Sequence, residues 1–177
     1  MDSFRGQFNN LKAGDPMDPQ TDIGPLANVE AVKEIKKQLY DSLKMGARIT
    51  ADSVDSKLGE GLIEPIVVEN VPDNCPLATE EVFGPVIPVF NFSNYDDVIR
   101  KVNSSIFGLG SSVWTDNKGL IEKLTMDIDA GMVAVNGLTR SDTALPFGGV
   151  KSSGYGRELS DNGMMEFLNI KTISVYD

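Results

Sequence analysis

The sequence predicts an α/β fold with a mostly parallel sheet and flanking helices. Short runs rich in β-branched residues alternate with amphipathic stretches of about ten residues, which is the pattern of βαβ units. The 177 residues are 41% hydrophobic and 24% charged, which is typical of one globular domain with its own core. We therefore expect a single α/β domain without internal repeats.

The first elements are two helices joined by a stiff connection. Apolar residues at Phe4, Phe8 and Leu11 have helical spacing, and the stripe has the form of the end of a longer helix. Gly14–Pro25 is rich in glycine and proline and predicts an ordered connection. The apolar face of Val32–Leu43 then predicts a helix that ends at a glycine.

The rest of the chain alternates strands and helices. Ser93 is the expected N-cap of the first helix in this part, with Asp96 three positions on. In chain order, the expected elements are strands at 63–68 and 86–92, a helix through Tyr95–Val102, a strand at 111–115, a helix at 118–127, a strand at 132–136, a helix at 160–168 and a final strand at 172–176.

The charge and the chemical inventory exclude several classes of protein. The 16 basic and 26 acidic residues give a net charge of −10, which repels nucleic acids and anionic membranes. Without histidine there is no imidazole base and no His-ligated zinc, and we predict no metal site. Cys75, the only cysteine, lies between two prolines and is interpreted as an inert thiol. Because no targeting or membrane-spanning segment is recognisable, we expect a cytoplasmic protein.

The segment Pro146–Glu158, PFGGVKSSGYGRE, contains four glycines within nine positions. Two interpretations are open: a tight loop packed on its own core, or a backbone shaped around a ligand. Asn136 ends a predicted strand, and the following loop leads into this segment. Because ligands of parallel sheets bind at the carboxyl ends of the strands, we expect the segment at the mouth of a site.

Three motifs in this order and spacing resemble the aldehyde dehydrogenase superfamily. They are EEVFGPV at 80–86, Asn136 at a strand end, and PFGGVKSSG at 146–154. The resemblance extends from Phe4 to the C-terminus. Within the family, Gly137–Asp142 and Gly154–Ser160 are most similar to the succinate-semialdehyde dehydrogenase branch.

The resemblance implies oxidation of an aldehyde to a carboxylic acid with NAD or NADP. It implies that Glu81 holds the ribose on the nicotinamide side of the cofactor, where a carboxylate accepts two hydroxyl hydrogen bonds. Phe83 would pack beside the nicotinamide ring. The alternatives are a solvated charge for Glu81 and a core aromatic for Phe83.

The resemblance also implies a substrate end of the site, shaped by Asn136 and Phe147. For an aldehyde that carries a carboxylate, Arg140 and Ser141 would meet its far end, because guanidinium and hydroxyl groups donate to carboxylates. The alternatives are a strand-end cap for Asn136, a core aromatic for Phe147 and a solvated loop arginine.

In the family, the dinucleotide-binding domain, the catalytic cysteine and the general-base glutamate precede the point where this chain begins. We therefore predict no catalytic residue in this chain, no activity of the isolated chain and no cofactor bound by it alone. Residues 1–168 would form the C-terminal part of the catalytic domain, and 169–177 a strand for oligomerisation. The expected partners are a second copy or the missing half.

Two other hypotheses come from different classes of protein. If the chain is free-standing, it would be a non-catalytic remnant that acts by association with itself or with an intact homologue. A phosphate-binding glycine loop is disfavoured, because the sequence has no GxxxxGK[ST] motif and its charge is negative.

Overall fold

The computed structural model describes residues 6–8, 10–50 and 61–177. The predicted helical position Phe4 lies outside this range, whereas residues 6–8 are helical. The chain forms two compact units, residues 1–92 and 93–177. The α/β class is confirmed, and the predicted division into 1–168 and 169–177 stays a prediction. No helix of the described ranges has the length and apolar character needed to cross a membrane.

The first unit combines a long helix with a three-stranded sheet. Its elements are α1 (Val29–Lys44), β1 (Arg48–Ile49), β2 (Ile66–Glu69), the short helix α2 (Pro76–Thr79) and β3 (Val86–Pro88). The central strand, β2, pairs antiparallel with β1 and parallel with β3. Its first three residues are all buried, as expected of a central strand covered on both faces.

Helix α1 has clear local signals at both ends. The Asn28 side chain accepts a hydrogen bond from the Ala31 N–H at 2.9 Å, and Gly46 follows the last turn with φ +114°. The apolar face of the helix packs into a core with residues of β2, α2 and β3, and this core consists of Val32, Ile35, Leu39, Ala47, Ile63, Ile66, Val68, Val71, Cys75, Leu77 and Val86. The predicted helix is confirmed.

The second unit contains a strand–helix–strand arrangement followed by the glycine-rich segment. Its elements are α3 (Tyr95–Asn103), β4 (Gly110–Val113), α4 (Lys118–Asp127), β5 (Met132–Val135), a 3₁₀ helix (Lys151–Ser153) and α5 (Ser160–Met165). Strands β4 and β5 are parallel over four residue pairs. Among the described residues, the strands thus form a three-stranded sheet with mixed pairing in the first unit and a two-stranded parallel sheet in the second.

The expected N-cap of α3 is wrong by one residue. Asn94, not Ser93, caps the helix, and its side-chain oxygen accepts from the Asp97 N–H at 2.9 Å. The Asp97 carboxylate accepts in turn from the Ser93 N–H at 3.0 Å. Both serine and asparagine are good caps, but here the Ser93 hydroxyl donates to the Asp97 carboxylate, and Asn94 is the residue that accepts from an N–H of the first turn.

Prolines lie at two of the strand ends. Strand β2 begins at Ile66, three residues later than predicted, directly after Pro65, which has no N–H to donate. Strand β3 ends at Pro88 and not at Phe92; one further bond joins the Val89 N–H to the Val68 carbonyl oxygen at 2.8 Å.

The strand predicted at Thr172–Tyr176 is not formed within the single chain, and its pairing with another subunit stays a prediction. These residues form no ladder in the structure, because no described segment supplies a hydrogen-bonding neighbour. The apolar side chains of this segment are exposed, and the exposed fraction of Tyr176 is 90%.

Candidate functional site

Glu81 and Phe83 lie together in a cavity of about 410 Å³ in the first unit. The lining residues come from α1 and from the segment between α2 and β3, and they are Ala31, Glu34, Ile35, Gln38, Glu80, Glu81 and Phe83. Phe83 is 77% exposed, so the alternative interpretation as a core aromatic is wrong. The structure thus brings an exposed carboxylate residue and an exposed aromatic ring to one cavity.

The path of this segment follows from its local sequence. Helix α2 ends at Thr79, and the N–H of the following Glu80 donates to the Pro76 carbonyl oxygen at 2.9 Å. The chain then passes over α1, and a Cβ at Gly84 would overlap the Ile35 side chain. The absence of a side chain at Gly84 therefore favours the close approach of this segment to α1, since a larger residue would displace the end of the Ile35 side chain.

The sequence reading missed Gln38 as a contact of this segment. Gln38 is 6% exposed, and its Nε2 donates to Glu80 Oε2 at 3.0 Å and to the Glu81 carbonyl oxygen at 3.1 Å. The available signal was a polar residue between Ile35 and Leu39 on the apolar face of α1. Its partners lie more than forty positions away, so local periodicity cannot identify them.

The glycines of the Pro146–Glu158 segment allow the chain to fold closely on itself. A Cβ at Gly148 would lie 2.6 Å from the Gly156 carbonyl oxygen, and one at Gly149 would lie 2.5 Å from the Ser153 Cβ. Gly154 and Gly156 have φ values of +121° and +79°. Close packing of the chain on itself therefore supports the interpretation as a tight loop at Gly148 and Gly149, whereas Gly154 and Gly156 supply the positive φ values.

Two basic side chains hold this segment in place. Lys151 Nζ donates to the Asn103 carbonyl oxygen at 2.8 Å and lies 3.5 Å from Asp129 Oδ2. Arg157 Nη1 donates to the carbonyl oxygens of Gly149 at 3.0 Å and of Gly156 at 2.7 Å. Both cations thus bind backbone carbonyls of the unit itself.

Phe147 lies in a second cavity, of about 670 Å³, within the second unit. Its N–H donates to the Glu158 carbonyl oxygen at 2.8 Å, and the Glu158 N–H donates back at 2.7 Å. The cavity is bordered by the glycine-rich segment and α5, and the partly buried Phe147 is one of its walls.

Asn136 follows β5 with φ +51° and joins the ends of β4 and β5. Its side-chain oxygen accepts from the Thr115 N–H at 2.9 Å, and its Nδ2 donates to the Thr115 carbonyl oxygen at 3.0 Å. This geometry supports the alternative role as a strand-end cap. Asn136 is absent from the lining of both cavities.

Arg140 and Ser141 lie on the exposed loop after β5 and are also absent from both linings. Within the described ranges, Arg140 makes neither a hydrogen bond nor an ion pair. Its guanidinium is therefore available to a ligand.

Cys75 is fully buried at the N-cap of α2. A thiol with 0% exposure cannot reach a dissolved aldehyde, which supports the interpretation as an inert side chain. In the part of the chain that the structure describes, no cluster of three potential metal ligands is present.

Comparison with known proteins identifies the family. A model described as the aldehyde dehydrogenase family matches residues 1–173. Succinate-semialdehyde dehydrogenase NADP(+) 1 of Mycobacterium bovis is 43% identical over 98% of this chain, which spans 38% of the length of that relative. Among solved structures, an NADP-dependent enzyme of E. coli has a TM-score of 0.90 at 32% identity, covering 96% of this chain and 35% of its own. Succinic semialdehyde dehydrogenase from Streptococcus pyogenes, in complex with NADP+, has a TM-score of 0.87 at 31% identity. The match covers 99% of this chain and 40% of the S. pyogenes chain. The chain belongs to the aldehyde dehydrogenase family.

Proposed function

We propose that this chain supplies the ribose-binding wall and the entrance loop of an NAD(P)-dependent aldehyde dehydrogenase that oxidises succinate semialdehyde. The observation that carries the proposal is the cavity shared by Glu81 and the 77% exposed Phe83. The 43% identity to a succinate-semialdehyde dehydrogenase supports the substrate and the cofactor class.

The residues of this cavity fit the nicotinamide ribose. The Glu81 side chain is exposed, and a carboxylate accepts hydrogen bonds from two neighbouring hydroxyl groups. The exposed Phe83 ring offers an apolar surface against which a nicotinamide ring packs. When bound, the cofactor supplies the hydride acceptor.

The substrate carboxylate would bind to the loop after β5. Arg140 is exposed and makes no ion pair with the described residues, so its guanidinium can bind a carboxylate without losing another contact. Ser141 is its exposed neighbour and offers a hydroxyl donor. Phe147 and Asn136 would help shape the same end of the site through the loop that they bracket.

The nucleophile of the reaction would come from outside these 177 residues. The chain has no histidine, and its one cysteine is fully buried. Because aldehyde oxidation by this family requires a thiolate, the isolated chain is expected to show no turnover.

The C-terminal residues 169–177 would form a strand with another subunit. The exposed fractions of Ile173, Val175 and Tyr176 are 77%, 85% and 90%, and a strand with this composition gains ladder bonds and apolar contacts by pairing. Sedimentation of the chain with and without residues 169–177 tests this role. The role would be refuted if the two forms of the chain sedimented with the same number of subunits.

A hybrid enzyme tests the main proposal. In this hybrid, the chain replaces the matching segment of the M. bovis succinate-semialdehyde dehydrogenase. We expect oxidation of succinate semialdehyde by the hybrid, and an increase of about tenfold in the KM for NADP+ on Glu81→Gln, because a neutral amide is a weaker acceptor. Glu30→Gln is the matched control, since Glu30 pairs with Lys33 and is not part of the cavity lining.

Three outcomes would refute the proposal. They are a folded hybrid without activity, an unchanged KM for NADP+ in Glu81→Gln, and turnover by the pure 177-residue chain.

A further inference from the structure

Gln38 occupies a position where packing alone favours an apolar residue. It is 6% exposed and lies between Ile35 and Leu39, which are 2% and 1% exposed. A buried amide loses its hydrogen bonds to water, so it is tolerated only where protein groups replace them. The two bonds of its Nε2, to Glu80 Oε2 and to the Glu81 carbonyl oxygen, supply part of this replacement.

The oxygen of the Gln38 amide has no described protein group that replaces its lost hydrogen bonds to water. Gln38 Oε1 is buried and makes no hydrogen bond with the residues that the structure describes. Turning the amide over would place Oε1 against a carboxylate and a carbonyl, both of which only accept, so that the present orientation is the one that forms bonds. The stability of the core therefore does not account for glutamine at this position.

We infer that Gln38 is a positioning residue that directs the Glu81 carboxylate into the cavity. This inference rests on the proposed role of Glu81 in ribose binding. Gln38 holds the carbonyl oxygen of Glu81 itself, which restricts rotation of the peptide group that joins Glu81 to Val82. It also binds the Glu80 carboxylate, and so keeps this second negative group at a defined place on the cavity wall.

The first test uses the 177-residue chain. Gln38→Met keeps the length of the side chain and removes both the donor and the unpaired acceptor, so the fold is preserved. Ser42→Ala is the matched control, because Ser42 is 0% exposed on the same helix and accepts from the Leu77 N–H at 3.1 Å, away from Glu81. We expect a lower backbone NMR order parameter at Val82 in Gln38→Met, and an unchanged value in Ser42→Ala.

The second test uses the hybrid enzyme and NADP+. Gln38→Met is expected to raise the KM for NADP+ about tenfold, equivalent to about 1.4 kcal/mol, and to leave kcat and the KM for the aldehyde within about twofold. Ser42→Ala is expected to lower Tm without changing the KM for NADP+. An unchanged KM in Gln38→Met, or an equal increase in Ser42→Ala, overturns the inference.

The two tests separate this inference from the proposed function. A folded but inactive hybrid of the unmodified chain refutes the proposed function, and the NMR comparison then decides whether Gln38 orders Val82. An active hybrid in which Glu81→Gln raises the KM but Gln38→Met does not refutes the inference alone.

Discussion

Replacement of Gly149 by alanine would place a methyl group where the glycine-rich segment has no room. Gly149 is buried, and the added Cβ would lie 2.5 Å from the Ser153 Cβ and 3.0 Å from the Ser153 carbonyl carbon and oxygen. Carbon atoms in contact are normally about 3.5–4.0 Å apart. Either the chain at Gly149 or the 3₁₀ helix that contains Ser153 must therefore move by about 1 Å.

The 3₁₀ helix cannot make this shift without losing other contacts. Ser153 Oγ accepts a hydrogen bond from the Gly108 N–H at 2.9 Å, and the Ser152 N–H donates to the Ile106 carbonyl oxygen at 2.9 Å. Overpacking of this kind costs roughly 1–3 kcal/mol. For a chain of this length, we expect Gly149→Ala to lower Tm by roughly 2–12 °C.

Thermal unfolding of the 177-residue chain, followed by circular dichroism, measures this effect. Gly119→Ala in α4 is the matched control, because its Cβ would meet only Asn117 Oδ1, at an ordinary 3.5 Å. Alanine stabilises a helix by about 0.5–1 kcal/mol relative to glycine, so this control should melt at or above the unmodified chain. A Gly149→Ala chain that melts at the same temperature as the unmodified chain would refute the packing explanation of the motif.

Two further predictions concern side chains away from the cavities. Cys75, with 0% exposure, should react with a thiol reagent such as DTNB only in denaturant, and immediate labelling of the native chain would contradict its burial. Partial burial and a 2.7 Å hydrogen bond to Asp127 raise the pKa of Tyr95 to about 12 from 10.0. The pKa of Tyr95 is thus higher in the folded state than in the unfolded state. The contribution of this difference to the free energy of unfolding is therefore complete below pH 10 and is lost as the pH rises to about 12. Absorbance titration should show a last tyrosine ionisation that Tyr95→Phe removes; an unchanged titration would contradict this assignment.

Helix positions were the most predictable part of the fold. The bounds of α4 agree with the prediction, Lys118–Asp127, because a local cap and a local apolar stripe specify them. Strand ends were less predictable: β3 stops at Pro88 although apolar residues continue to Phe92. Hydrophobicity indicates that a run is suited to a sheet, but the partner strand determines how far pairing extends.

In the candidate site, too, some features follow from local sequence and others depend on distant residues. Glu81 and Phe83 are two positions apart, so their common location in one cavity is close to a local property. Asn136 is different, because its bonds to the Thr115 backbone exist only through the pairing of β4 with β5. Sequence spacing predicted its place at a strand end and left open what its amide binds.

By itself, the sequence determined the α/β class, the positions of α1 and α4 and the motifs of the aldehyde dehydrogenase family. These depend on local preferences and on residue identities at fixed spacing. Only the tertiary structure decided that Gly148 and Gly149 relieve steric overlap, that Gln38 binds Glu80 and Glu81, and that 172–176 has no partner strand within the described chain. Contacts between residues distant in sequence arise from the packing of whole elements, and local sequence carries no record of which distant group will lie opposite.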